Sequence, residues 1–218
     1  SIIEEALLKG TSVVVFDPTA QWTGFLRKCE DPSMLRRYQY FGMSTKKAQA
    51  FDGSIKTISD PYEIVDIKKQ MNRPGEITIF DVSRLTPADI DIVVASTIEQ
   101  IFRSNPEEAK DLKTMIVYDE VHRLLPKFGG SGKGFVQIER GAREFRKWGI
   151  GLMLISQVLS DFVGEIKANI GTEIQMGTRY EGDLDRVGKK YGDDLLKSVA
   201  KEPVGTGMNV NAEYNNGI

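Results

Sequence analysis

The chain has 218 residues, 40% of them hydrophobic and 28% charged, with 29 basic against 31 acidic side chains and a net charge of -2. That is an ordinary globular composition, long enough for one sizeable core, and its charge balance excludes a protein that coats nucleic acid by bulk charge while leaving room for a local basic stripe. A single cysteine, Cys29, and a single histidine, His122, exclude an intrachain disulfide and leave no Cys/His zinc cluster, and the lack of a G-x-S-x-G elbow argues against a Ser/His/Asp hydrolase.

No signal peptide and no bilayer-length apolar run is visible, so a cytoplasmic protein without a membrane segment is expected. Taken in order, residues 2–9 read as the end of a helix closed by Gly10, and 12–16 (S-V-V-V-F) as a buried strand ending at Asp17. Loops and short helices follow to Gly42. A short strand is expected over 55–58, a helix over 62–71, a turn at N-R-P-G (72–75) and a strand over 77–80 ending at Asp81. Pro87 opens a helix to Phe102, with Ile90, Val94, Ile98 and Ile101 on its apolar face.

The run Met115–Tyr118 then forms a strand that ends in adjacent carboxylates, Asp119 and Glu120. A short helix stops at Pro126, the loop K-F-G-G-S-G-K-G follows (127–134), and a helix is expected over 135–148. Strands over 150–155 and 172–176, a helix over 183–199 and a Gly- and Asn-rich loop complete the chain. Strands alternating with helices, with polar residues at the strand ends, predict an α/β fold with a mainly parallel sheet covered by helices on both faces. No linker or internal repeat divides it.

Acids beyond the C-terminal ends of parallel strands lie where open α/β sheets bind ligands. Asp119 and Glu120 fit a metal-holding acid followed by one that activates water, or else two solvated acids before a helix. Asp17 and the pair Ser156–Gln157 end neighbouring strands and can converge with them. Gln157 suits a contact to a γ-phosphate; otherwise it is a solvent-facing strand terminus. Arg143 and Arg146 present two guanidinium groups from one helix, either as a solvated face with Glu139 and Glu144 or as a finger toward a neighbouring subunit. The loop at 127–134 does not satisfy G-x-x-x-x-G-K-[ST] and reads as a mobile surface loop whose Lys127 and Lys133 can touch the phosphates of a polymer.

Four stretches, V-V-V-F-D-P-T-A-Q-W-T-G-F-L (13–26), M-I-V-Y-D-E-V-H-R-L-L-P (115–126), R-G-A-R-E-F-R-K-W-G-I-G-L-M-L-I-S-Q (140–157) and V-G-T-G-M-N-V-N-A-E-Y-N-N-G (204–217), together resemble the ATPase core of the HerA family, within the FtsK-like DNA translocases and conjugative ATPases. The resemblance implies a RecA-like fold, ATP with Mg²⁺, a homo-hexameric ring and movement along double-stranded DNA, with a NurA-like nuclease as partner in DNA end processing. Carried to this chain, it makes Asp119 the Walker B acid toward Mg²⁺, Glu120 the water activator, Gln157 the γ-phosphate sensor, and Arg143 or Arg146 the finger. Arg179 becomes a nucleotide or interface contact, and His122 a positioning residue in preference to a proton carrier.

Such ATPases carry a P-loop upstream of the strand at Val13. Residues 1–218 are therefore expected to be an incomplete P-loop NTPase core without its N-terminal P-loop strand and its last strand, inactive alone. The alternatives are a conjugative or type IV secretion ATPase, and a non-hydrolysing assembly module with a degenerate ATPase fold.

Overall fold

The computed structural model describes residues 1–157, 165–178, 181–201 and 207–211. The chain divides into two compact units, Ser1–Ser156 and Gln157–Ile218. The first contains α1 (Ile2–Leu8), β1 (Ser12–Asp17), α2 (Pro32–Tyr38), β2 (Gly53–Thr57), α3 (Ile67–Met71), β3 (Ile77–Asp81), α4 (Pro87–Arg103), β4 (Ala109–Tyr118), α5 (Lys133–Glu144) and β5 (Trp148–Leu154).

β1 is the middle of the sheet, and every residue in it is buried. Its valines are β-branched and suit extended backbone with both faces covered. β3 and β4 flank it in parallel, with Phe16 opposite both Phe80 and Tyr118, and β2 and β5 complete the order β2-β3-β1-β4-β5, parallel throughout. Alternation along β1 assigns its side chains to two layers. Val13 and Val15 pack with Ile3, Ala6 and Leu7 of α1 on one face. Phe16 and Tyr118 lie with Ile90 and Val94 of α4 on the other. The expected parallel α/β sheet with helices on both faces is the one observed.

Phe16 stacks on Phe80 at 5.2 Å and on Tyr118 at 5.0 Å between ring centroids. These rings span β3, β1 and β4, each one residue before an acid. They make a rigid apolar floor under Asp17, Asp81 and Asp119, since offset aromatic pairs add to the burial of each ring.

Several boundaries differ from the sequence expectation. α3 starts at Ile67, not Tyr62, because Asp60 takes the N–H of Tyr62 in a turn and Asp66 caps the helix through the N–H of Lys69. β4 begins at Ala109, before the apolar run, and its ladder to β5 is interrupted between Ala109 and Thr114. α5 begins inside the glycine-rich loop and gives way to a 3₁₀ turn at Phe145–Lys147.

The second unit holds α6 (Glu165–Asn169), β6 (Thr172–Met176), α7 (Glu181–Tyr191), α8 (Asp193–Lys201) and β7 (Gly207–Asn211). β6 does not join a parallel sheet but pairs antiparallel with β7, a strand in the Gly- and Asn-rich stretch for which a loop is expected. The single helix expected over 183–199 is two. Gly192 adopts φ 90° between them, a left-handed conformation that ends α7 as a glycine C-cap does. Among the described residues no helix is long and apolar enough to cross a membrane.

Candidate functional site

The topology creates a seam between β1 and β4. From β1 the chain goes to β2 on one flank of the sheet, and from β4 it goes to β5 on the other. The loops beyond these two strands therefore part, and such a switch point is where open parallel sheets take their ligands. Asp17 and Asp119 stand on either side of it.

Asp17 is fully buried, and its carboxylate is committed to its own loop. Oδ1 accepts the N–H and the hydroxyl of Thr19, each at 3.0 Å, and Oδ2 accepts the N–H of Trp22 at 2.9 Å. The expectation that Asp17 faces a ligand is thus corrected: it shapes the loop that delivers Trp22. Asp119 is half-buried and is held by both oxygens. The Trp22 indole Nε1–H donates to Oδ2 at 2.9 Å, and the Glu120 N–H donates to Oδ1 at 3.0 Å.

Glu120 has φ 49° and ψ 44° and is 8% exposed. A left-handed non-glycine residue costs about 1–3 kcal/mol and persists only where its surroundings impose it. Here they do: the Val121 N–H binds the carbonyl of Ile155 beyond β5, and the Glu120 carbonyl accepts the Arg123 N–H. Ala20, in the Asp17 loop, is also left-handed at φ 57°. Two of the three positive-φ non-glycine residues among the described ones, Ala20 and Glu120, thus lie in the loops beside the seam, the third being Asn105 after α4.

His122 Nδ1 lies 3.2 Å from Glu120 Oε2 and 3.4 Å from the Ser156 hydroxyl, and its ring meets the Phe128 ring edge-on at 4.9 Å. Burial lowers the pKa of His122, the Glu120 charge partly opposes this, and Arg123 lowers it further. The imidazole is therefore neutral near pH 7. Nδ1 thus faces both the Glu120 carboxylate and the Ser156 hydroxyl, which suits a positioning group beside Glu120.

Each oxygen of Asp119 accepts one hydrogen bond and keeps a further lone pair. Mg²⁺ uses one or two carboxylates and completes its shell with phosphate oxygens and water, so a single acid at this edge fits it. Among the described residues no group of three or more His, Cys, Asp or Glu forms an all-protein metal cage.

The glycine-rich loop is not an open phosphate cradle. Its anion is internal: Asp91 of α4, fully buried, accepts the N–H groups of Ser131, Lys133 and Gly134 and the Ser131 hydroxyl. The backbone of Gly134 passes so close that a Cβ there would stand 2.7 Å from Asp91 Oδ1. The expectation of a mobile loop gives way to a pinned one. Lys127 and Lys133 are exposed on it, with Lys127 Nζ 4.9 Å above the Phe128 ring.

Arg143 and Arg146 are exposed. α5 runs from the loop beside the seam back to the start of β5, and Arg146 is two residues from Trp148 while Leu154, at the other end of β5, pairs with Tyr118. At about 3.3 Å per residue the length of β5 separates Arg146 from the Asp119 end of the sheet by roughly 20 Å, and Arg143 lies three residues earlier in α5. Arg140 is differently used, its guanidinium stacked 3.7 Å over the Phe102 ring. Gln157 follows Ser156 directly, is exposed, and opens the second unit. Arg179 lies outside the described residues.

Sequence reasoning missed Trp22 and Asp91 as parts of this arrangement. Asp91 carries a readable signal, a carboxylate three residues before Val94 on an otherwise apolar stripe. Trp22 carries none, because its partner is 97 residues away.

No family model matches the sequence, and no curated protein does either. Solved structures do. The chain resembles the genome packaging NTPase B204 of Sulfolobus turreted icosahedral virus 2 in complex with AMPPCP, with 11% identity and a TM-score of 0.54 over 97% of this chain and 83% of that one. It also resembles VirB4 of Thermoanaerobacter pseudethanolicus, with 14% identity and a TM-score of 0.57 over 96% of this chain and 81% of that one. The fold of this chain is shared with both structures. At such identities the likeness is one of fold, and the chemistry must be argued from the residues above.

Proposed function

We propose that this chain is the ATPase core of a double-stranded DNA translocase of HerA type, hydrolysing ATP between the subunits of a homo-hexameric ring and acting with a NurA-like nuclease on DNA ends. The observation that carries the reading is the pair at the β1/β4 seam: Asp119 fixed through both oxygens, and beside it a buried, left-handed Glu120 imposed by its surroundings. Structural acids at a solvated strand end need neither feature.

In this reading Asp119 holds Mg²⁺, which when bound neutralises charge on the β- and γ-phosphate oxygens. Glu120 accepts the proton of the attacking water, and His122 holds its carboxylate. Gln157 senses the γ-phosphate, Arg179 contacts nucleotide or a neighbouring subunit, and Lys127 and Lys133 touch DNA phosphates. Arg143 or Arg146 serves the neighbouring subunit's ATP. A P-loop on a further strand, outside these residues, completes the site; β5, half-buried over Gly151–Leu154, ends the sheet among the described residues and offers it an edge.

The experiment is Glu120→Gln in the intact protein. Turnover is expected to fall to background while ATP binding, read by calorimetry, is retained; hydrolysis at the unmutated rate would remove Glu120 from the chemistry. A conjugative or type IV secretion ATPase shares this geometry. Stimulation of turnover by blunt duplex ends favours end processing over that second reading.

A further inference from the structure

Two side-chain contacts that the nucleotide reading does not use bridge the seam between β1 and β4: the Arg123 guanidinium on the Pro18 carbonyl at 3.4 Å, and the indole of Trp22 on Asp119 Oδ2 at 2.9 Å. Trp22 is built into place from three directions. Its N–H is taken by the fully buried Asp17, its ring lies 5.5 Å from that of Phe25 with only 12° between planes, and the Phe25 carbonyl is itself tied to the N–H of Phe51. A solvated tryptophan has no such scaffold.

We infer that Trp22 is a positioning residue for Asp119, fixing the carboxylate so that its remaining lone pairs meet a divalent cation, and that its indole reports when that cation binds. The inference rests on the reading of Asp119 as the metal acid. An indole Nε1–H only donates, so Trp22 does not compete with Asp119 as a ligand. A hydrogen bond to a charged acceptor is short and directional, and it fixes the plane of the carboxylate in concert with the Glu120 N–H on the other oxygen. Donors behind a metal-binding carboxylate set its orientation, and losing one lowers metal affinity about 10–100-fold. The chain of support runs from Asp17 through the Trp22 backbone and ring to Asp119, so the loop after β1 controls the acid after β4.

Trp22 and Trp148 are the two tryptophans of these 218 residues, so Trp22 can serve as the probe. In Trp148→Phe, Trp22 emission is followed while Mg²⁺ is titrated in the presence of AMPPNP, and Mn²⁺ binding is measured in parallel by electron paramagnetic resonance. The expected result is a saturable emission change that Asp119→Asn abolishes. Trp22→Phe keeps the ring and removes the donor; it is expected to weaken Mn²⁺ binding by about ten-fold or more. The Mg²⁺ concentration for half-maximal hydrolysis then rises, kcat recovers at saturating Mg²⁺, and Trp22→His, which restores a ring N–H, recovers part of the affinity. Unchanged Mn²⁺ affinity in Trp22→Phe, with the loss still present in Asp119→Asn, overturns the role of Trp22 and leaves Asp119 as the metal acid. Unchanged affinity in Asp119→Asn overturns both. Should Trp22→Phe not fold, the emission titration decides alone, and a flat signal at saturating metal overturns the inference.

Discussion

Asp91 Oδ1 accepts the main-chain N–H of Gly134 at 2.7 Å, joining the start of α4 to the start of α5 across 43 residues of sequence. Consecutive N–H groups of a glycine-rich turn form a concavity that binds anions. In this fold the anion is the chain's own carboxylate, so a stretch that resembles a phosphate loop in composition works as a structural latch.

Asp91→Ala therefore leaves the buried N–H of Gly134 and the part-buried N–H groups of Ser131 and Lys133 without this acceptor. Each such group costs about 1–3 kcal/mol, and the variant is expected to lose about 3–5 kcal/mol, in the range of other broken buried networks. Asp91→Asn, which keeps one acceptor oxygen, should lose less than Asp91→Ala. Urea denaturation midpoints measure both, and trypsin cleavage after Lys127 and Lys133 should accelerate in the same order. Equal stability of wild type and Asp91→Ala would show that the latch contributes nothing.

Gly134→Ala tests the same contact from the other side. The added Cβ meets Asp91 Oδ1 at 2.7 Å and the Asp91 carbonyl oxygen at 2.9 Å. Overpacking of this kind costs about 1–3 kcal/mol. Combining it with Asp91→Ala relieves the side-chain clash but not the backbone one, so the two losses should not add. Strict additivity in a double-mutant cycle would separate the two sites.

In the second unit, Glu173 and Lys190 form a 2.5 Å ion pair, and Tyr191 donates to the same carboxylate at 2.9 Å. Burial raises the pKa of Glu173, but hydrogen bonds from Lys190 and Tyr191 outweigh it and hold it below its ordinary value of 4.5. Burial likewise lowers Lys190, and the Glu173 hydrogen bond outweighs that to hold it above 10.5. The Glu173 contribution is present above pH 4.5 and is lost as pH falls through the lowered value. The Lys190 contribution is present below pH 10.5 and is lost as pH rises through the raised one. Glu173→Gln should thus lower the melting temperature across the neutral range, and the difference from wild type should shrink in acid and in strong alkali. A difference that does not vary with pH would place its origin in packing and not in the pair.

The parallel sheet was legible because its strands are unbroken apolar runs, and the acids of the seam because they end one of those runs abruptly. What stayed hidden depends on distant partners. Nothing local distinguishes Asp17 from Asp119: each is an acid after a buried strand, yet one accepts three bonds from its own loop and the other is held at the seam by Trp22. β7 was unreadable for a related reason. Its Gly-Met-Asn-Val-Asn segment has weak strand propensity and is extended through its pairing with β6, a case of context overriding local preference.

The position of Arg143 and Arg146 leads to the strongest test of the ring. Arg146 stands near the start of β5, roughly 20 Å along the strand from its Asp119 end, and Arg143 lies three residues earlier in α5, so in the proposed ring they serve a neighbouring subunit's ATP. Removing an arginine finger lowers kcat about 10³-fold or more, and whichever of Arg143→Ala and Arg146→Ala behaves so names the finger. That variant still carries an intact Glu120, whereas Glu120→Gln still carries an intact arginine. Mixed into one ring, the two inactive proteins form interfaces at which a good Glu120 faces a good arginine, and hydrolysis should return. Catalysis within a single subunit offers no such interface. An inactive mixture would therefore exclude action in trans, provided that native mass spectrometry shows the rings to contain both variants.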